Sequence, residues 1–318
     1  MKKKNSQFNV LRIKSSPYFQ FDFIQNEKEL IEGQFSNLTY FFEKTPDNTN
    51  PTIILSNTHV DYNALEKNLL ESTALIIHGN SGWDNLPISL ANYHFPIIAG
   101  NEIRKNAVVE YILSALIGHF NKIPFSKNWD KNRAFNRSLL NEKHVLIMGF
   151  GQIGETLYQA ILPLSEKVSV YDPYKGFTEL PNEKIDILIP VMSLNPSSRE
   201  IIDHDFLKKL KTTAIIINAA RGNLIKEDAL IDFLKMNPDA YAYLDVFQIE
   251  PCDMKDFFQL NNISTSSHIA GVFNDIDQRT LEFEQKILND FLNLSNAEFE
   301  LKNRKINLKE RIVNDFFL

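Results

Sequence analysis

Short apolar runs alternate with amphipathic stretches along most of this chain. "PTIILS" (51–56), "ALIIHG" (74–79) and "FPIIAG" (95–100) are short, rich in isoleucine and bounded by polar or turn residues, which predicts strands. Between the first two, "YNALEKNLLE" (62–71) spaces its apolar residues for one helix face. "NAVVEYILSALIGHF" (106–120) is apolar over most of a helical surface, which predicts a buried helix. A polar stretch follows at 121–143, read either as a linker or as a surface arm. Six further β runs come next, with helical stretches between them: "HVLIMGFG" (144–151), "KVSVYD" (167–172), "IDILIPV" (185–191), "TTAIIINA" (212–219), "AYAYLDV" (240–246) and "NISTSS" (262–267). From "QKILNDFL" onward the chain reads as helical, then charged and irregular. Strands alternating with helices predict doubly wound parallel sheets, the α/β class.

At 318 residues the chain is long enough for two domains, since a domain holds about 100–200 residues. The pattern assigns 106–284 to one doubly wound domain, and 1–105 with 285–318 to the other. The net charge of −6 and the absence of any basic block beyond "MKKK" argue against a nucleic-acid partner. "MKKK" is followed by the polar "NSQFNVLRIKSSP" rather than an apolar segment, so it does not read as a secretory signal. No run approaches the ~18 apolar residues of a membrane helix. The single cysteine, Cys252, cannot close an intrachain disulfide or supply a cysteine-rich metal site. These features predict a soluble, cytoplasmic protein with no metal and no membrane partner.

Chemistry first appears in "HVLIMGFGQIGETLYQAIL", where Gly149, Gly151 and Gly154 form G-x-G-x-x-G between an apolar run and a helix. The first glycine suits a tight turn, the second a close approach to a pyrophosphate, and the third the packing of helix on strand. The helix start offers unpaired N–H groups to phosphate. Asp172 follows 18 residues after Gly154, at the end of the next β run. A carboxylate there accepts from ribose hydroxyls and repels a 2′-phosphate, which favours NAD over NADP. The alternative is a glycine turn in another α/β protein, with a surface aspartate.

Three polar residues follow three of the later β runs: Arg221 after "IIINAA", Glu250 after "YLDVFQI" and His268 after "ISTSS". The carboxyl ends of strands are where open α/β sheets bind ligands. Taken singly, each has a plain structural reading, as a surface ion pair, a loop residue or a satisfied histidine.

Together with the glycine turn, the stretches "VYDPY", "LNPSSREIID", "INAARGNLIKEDAL", "LDVFQIEP" and "SSHIAG" resemble the D-isomer-specific 2-hydroxyacid dehydrogenases. The gaps fit as well, with 29 residues from Arg221 to Glu250 and 18 from there to His268. The resemblance covers 145–275 and continues more weakly upstream through "SNTHV", "GNSGWDN" and "NAVVEY". It implies two Rossmann-like domains with the active site in the cleft between them, and hydride transfer between nicotinamide and a small 2-hydroxy or 2-keto acid. Arg221 would grip the carboxylate with its planar fork and polarise the carbonyl oxygen. His268 would be the general acid and base, and Glu250 would orient its ring. Gln152 and Ile153 would meet the pyrophosphate. Ala219, Ala220 and Asp245 would line the nicotinamide side, and Met192 and Gly271 would also meet the cofactor. Asn80, Ser81 and Gly82 would bind the substrate carboxylate through their amides, the alternative being an ordinary strand-to-helix turn.

The chain also departs from the family pattern. The family's H-x-P-L-T is "VMSLN" (191–195) here, and its proline before the histidine is Ser267. Leu55 stands where phosphoglycerate dehydrogenases carry arginine. "AVVEYILSAL" and "TSSHIAG" resemble the 4-phosphoerythronate dehydrogenases, without their extra C-terminal domain. Arg104, Lys105 and His59 are either phosphate ligands or surface charge. Corepressors resembling C-terminal binding protein share the fold and the three polar residues, so a dinucleotide-sensing binding protein is the alternative reading, as is a non-catalytic family member. Family dimers are built through the cofactor domain, and "FSKNWDKNRAF" (125–135) is the candidate arm of a homodimer.

Overall fold

The computed structural model describes residues 6–47, 49–123, 127–132 and 136–318. Of the candidate dimer arm at 125–135, residues 125–126 and 133–135 lie outside them. The chain divides into two compact units, residues 1–104 with 272–318 and residues 105–271.

Unit 1 is built on five parallel strands: β1 (Phe8–Arg12), β2 (Leu38–Phe42), β3 (Thr52–Ser56), β4 (Thr73–His78) and β5 (Ile97–Ala99), in the order β2-β1-β3-β4-β5. Alternate residues serve opposite faces, as the strand period of two requires. Ile53, Leu55, Leu75 and Ile77 enter one core, and Ile54 and Ile76 enter the other. Helix α1 (Phe23–Gln34) connects β1 to β2. The single helix expected over 62–71 is instead a 3-10 turn, Tyr62–Ala64, followed by α2 (Lys67–Ser72). Leu65 and Glu66 between them are extended, and this break lets Tyr62 and the Leu69–Leu70 pair all reach the core.

Helix α3 (Asn101–Phe120) carries the chain across the unit boundary into unit 2, which also holds the short antiparallel pair β6 (Asn121–Lys122) and β7 (Asn136–Arg137) and a larger sheet. There the strands are β8 (His144–Met148), β9 (Lys167–Tyr171), β10 (Ile185–Pro190), β11 (Leu210–Asn218), β12 (Tyr241–Leu244) and β13 (Ile263–Thr265). They pair in parallel in the order β13-β12-β11-β10-β8-β9. Helices α4 (Gln152–Ile161), α5 (His204–Leu207) and α6 (Glu227–Met236) lie between them in sequence. The strand order reverses at β8, which has β9 on one side and β10 on the other. A crevice for ligands opens at such a switch point, beyond the carboxyl end of the strand.

The chain then rejoins unit 1 at Val272 rather than near residue 285. The reason lies in α7 (Ile276–Asn293), whose Ile276, Phe283, Ile287 and Phe291 fill the unit 1 core. Phe291 meets Phe8 of β1 and Phe299 of α8 (Asn296–Asn303) edge-on, at 5.6 and 5.5 Å. A two-stranded ribbon, β14 (Ile312–Val313) and β15 (Phe316–Phe317), ends the chain. Among the described residues no helix is long and apolar enough to cross a membrane.

Candidate active site

At the glycine turn after β8, Gly149 has φ +104°, a conformation that favours glycine. A side chain there would meet the Met192 backbone at 2.7 Å, and one on Gly154 would stand 2.0 Å from the Gly149 carbonyl oxygen. Gly151 faces open space and begins α4 with no side-chain cap. The first amide of this helix to find a partner in the preceding turn is that of Glu155, which donates to Gly151. The N–H groups of Gln152, Ile153 and Gly154 therefore fall in the helix turn that has no intrahelical acceptor. The donor set and the bare approach at Gly151 fit a pyrophosphate.

Asp172, at the end of β9, turns its carboxylate back to this loop. Oδ2 accepts from the Phe150 amide at 2.6 Å and Oδ1 from the Tyr174 amide at 3.2 Å. A carboxylate accepts about four hydrogen bonds, so it retains capacity for two ribose hydroxyls. These residues fit a bound dinucleotide. Met192, half-buried after β10, closes over Gly149.

Arg221 stands just beyond β11. Asn218, 1% exposed, shapes this corner: its amide donates to the Arg221 carbonyl at 3.0 Å, and its Oδ1 accepts from the Ala220 N–H at 3.1 Å. The next residue, Gly222, lies so close to the loop after β12 that a Cβ would stand 1.9 Å from the Phe247 carbonyl carbon. Ala219 is buried and Ala220 half-buried on the same corner.

Glu250 and His268 meet directly, with 2.7 Å between Glu250 Oε2 and His268 Nδ1. Their side chains are 35% and 45% exposed, so both are open to a substrate. Glu250 Oε1 also accepts from the Phe247 amide at 3.0 Å. Burial pushes the Glu250 carboxyl up, but the His268 hydrogen bond, the Phe247 amide and the charges of His268 and Arg221 outweigh it. The net effect holds Glu250 below the usual carboxylate range. Arg221 thus acts on Glu250 through its charge, and the three polar residues form one electrostatic group.

His268 occupies the left-handed backbone region, φ +55°, which is uncommon for a residue with a side chain. Asp245 holds it there. Its carbonyl accepts from the His268 N–H at 2.7 Å, Oδ1 accepts from Ser266 Oγ at 2.6 Å and the Ile269 N–H at 2.8 Å, and Oδ2 from the Ala270 N–H at 2.7 Å. Asp245 is 0% exposed. Its carboxylate is therefore engaged by the loop that carries His268. Gly271 directly follows this loop and is the last residue of unit 2.

Residues 114–270 match the family described as "D-isomer specific 2-hydroxyacid dehydrogenase, NAD binding domain". The match spans just under half of the chain and places this segment in that family. Unit 2 is its NAD-binding domain, and the glycine turn and Asp172 lie within the match. The hydroxypyruvate reductase of Thermotoga maritima is 30% identical over 175 residues, covering 51% of this chain and 57% of the relative. The D-3-phosphoglycerate dehydrogenase of Mycobacterium bovis is 26% identical over 219 residues, 62% of this chain and 40% of the relative. The chain thus spans about half the length of these curated relatives. A glyoxylate reductase structure from Paecilomyes thermophila superposes with a TM-score of 0.69 over 91% of this chain and 96% of that one, at 19% identity. That likeness shows the shared fold.

The sequence reading named Asn218 in no role, although it is buried and sets the Arg221 corner. Its only signal is an amide at the end of an otherwise apolar run. In unit 1, Asn80, Ser81 and Gly82 form the half-buried turn after β4. Among the described residues no acceptor takes their amide N–H groups. Leu55 is fully buried in the unit 1 core. Arg104 is 6% exposed, which excludes plain surface charge, and burial lowers its pKa to about 10. Among the described residues no cluster of histidine, cysteine and carboxylate groups suits a metal.

Proposed function

We propose that this protein is an NAD-dependent D-2-hydroxyacid dehydrogenase with Arg221, Glu250 and His268 as its catalytic residues. The observation that carries this reading is the 2.7 Å pairing of His268 Nδ1 with Glu250, two side chains half open to solvent beyond the ends of β12 and β13. Bound NAD supplies the hydride acceptor, and NADH the donor. With Nδ1 engaged by Glu250, proton exchange with substrate runs through Nε2. His268 protonates the keto oxygen during reduction and takes the hydroxyl proton during oxidation. Glu250 fixes the ring's tautomer and stabilises the imidazolium. Arg221 grips the planar carboxylate through two parallel hydrogen bonds and stabilises charge on the reacting oxygen.

The amides of Asn80, Ser81 and Gly82 are donors for a substrate carboxylate. Gln152 and Ile153 hold the pyrophosphate, Asp172 selects NAD over NADP, Ala219, Ala220 and Asp245 line the nicotinamide side, and Met192 and Gly271 also meet the cofactor. Asp245 supports this site from behind, as the holder of the His268 loop. The reading takes the substrate to be a small 2-hydroxy or 2-keto acid and the working form to be a cytoplasmic homodimer.

The test is loss of NADH absorbance with glyoxylate, hydroxypyruvate, pyruvate, a phosphorylated keto acid and a bulky aromatic one, each repeated with NADPH. Turnover of at least one acid with NADH supports the reading. NADH binding without turnover of any of them refutes it, and dinucleotide-dependent capture of a protein partner would then favour the binding-protein alternative.

A further inference from the structure

Beneath the turn at 79–82 lies a line of buried polar side chains that the chemistry at His268 does not use. Tyr62 donates its hydroxyl to Ser56 Oγ, and Ser56 Oγ stands 3.1 Å from His78 Nδ1. His78 Nε2 stands 2.8 Å from the carbonyl oxygen of Gly82. Ser56 and His78 are fully buried and Tyr62 nearly so.

The position of each hydrogen follows from the groups present. A carbonyl oxygen only accepts, so Nε2 carries a proton and donates to Gly82. Burial disfavours imidazolium, so Nδ1 is the bare nitrogen and accepts from Ser56, which in turn accepts from Tyr62. The relay runs in one direction, from Tyr62 to the Gly82 carbonyl.

Its members are fixed by the sheet. Ser56 and His78 are register partners at the carboxyl ends of β3 and β4. Ser56 also holds the near end of the turn, since its carbonyl accepts from the Gly79 N–H at 2.9 Å. The turn is therefore fastened at Gly79 by the main chain of Ser56 and at Gly82 by the His78 ring. Peptide units are planar, so anchors at both ends of so short a loop set the direction of the N–H groups between them. A neutral ring suits this place, because it fixes a carbonyl without adding a buried charge that would need a counter-ion.

We propose that His78, held by Ser56 and Tyr62, is a positioning residue that aims the amides of Asn80, Ser81 and Gly82 at the substrate carboxylate. This rests on the reading that those amides bind the carboxylate.

The test compares His78→Phe, His78→Gln, Ser56→Ala and Tyr62→Phe with the wild type. The readouts are kcat and KM for the best keto acid, the NADH dissociation constant, and the dissociation constant of oxalate with NADH present. His78→Phe and Ser56→Ala are expected to raise KM and weaken oxalate about 10-fold, the equivalent of ~1.4 kcal/mol, with NADH affinity unchanged. His78→Gln keeps a donor for Gly82 and is expected to restore most of the loss. Tyr62→Phe removes one hydroxyl and serves if His78→Phe does not fold, with a smaller rise in KM expected. A role in stability alone would lower the active fraction, and so kcat, at unchanged KM. If the wild type binds oxalate and the folded variants bind it equally well, the relay is overturned while the carboxylate site stands. If the wild type neither binds oxalate nor reduces any keto acid, the site itself fails and the proposal falls with it.

Discussion

The carbonyl of Asp245 accepts the main-chain N–H of His268 at 2.7 Å while the Asp245 carboxylate takes the two amides that follow. One buried side chain thus keeps His268 in a left-handed backbone conformation. Such strain persists at functional sites where the surroundings over-determine it. Asp245→Ala leaves the Ile269 and Ala270 amides and the Ser266 hydroxyl without this acceptor. The expected cost is about 1–3 kcal/mol of unfolding free energy, chiefly from the buried Ala270 amide left unsatisfied. Urea denaturation measures it, and a loss below ~1 kcal/mol would show that Asp245 does not hold the loop.

Glu250→Gln preserves an oxygen acceptor for His268 Nδ1 but removes the negative charge. The wild-type carboxylate, held below the usual range, stays ionised at neutral pH and loses its charge only on acidification through that lowered value. Glu250→Gln is therefore expected to lower kcat/KM for reduction about 10-fold at neutral pH. The wild type should approach the variant only on acidification through the lowered Glu250 value. A pH profile of kcat/KM for both checks this, and equal rates at neutral pH would contradict the role given to Glu250.

Asp172 both fastens the Phe150 amide and carries the charge assigned to the ribose. Asp172→Ala is expected to weaken NADH about 10-fold, in line with loss of charge-assisted hydrogen bonds. NADPH should be weakened less, since repulsion of the 2′-phosphate disappears with the carboxylate. Fluorescence titration with both dinucleotides measures the ratio, and an unchanged ratio would remove Asp172 from cofactor selection.

Unit 1 contains a buried charge cluster with a pH signature. Arg12 donates to Glu27 through Nε at 3.0 Å and through Nη2, and Nη2 also reaches Glu284 at 2.6 Å. All three residues are buried. One guanidinium cannot neutralise two carboxylates in a dry interior. Burial raises both, but Arg12 holds Glu27 low, while Glu284 stays well above its ordinary value, with the Glu27 charge adding to burial. A carboxyl raised in the folded state contributes stability that is full below its unfolded value and is lost as pH rises through the folded one. Glu284→Gln is expected to abolish that loss, so its melting temperature relative to wild type should climb as pH rises above the ordinary carboxylate range. A constant difference across the range would contradict a protonated Glu284.

Much of unit 2 was legible in the sequence because its signals are local. The six strands of its sheet lie in short β runs ending near turn or polar residues, and the glycine turn needs only the chain around it. Strands β1 and β2 were not legible. Asn9 and Arg12 interrupt "FNVLR" as polar residues, yet both are buried, because Asp47 and Asn50 carbonyls accept from Asn9 and distant carboxylates pair with Arg12. The return boundary was set too late because the apolar face of α7 reads the same whichever core it fills. At the site, Arg221, Glu250 and His268 were legible as polar groups just past strands. The inward turn of Asp245 and the part played by Asn218 depend on which donors the fold brings to them, and no spacing along the chain shows that.

The most direct measurement is kcat/KM for NADH-dependent reduction of the best keto acid by Arg221→Ala. If Arg221 grips the carboxylate and stabilises charge on the reacting oxygen, activity falls at least ~10²-fold, as for loss of an oxyanion donor, with NADH affinity retained. Near-normal kcat/KM in a folded variant would contradict the account at its centre.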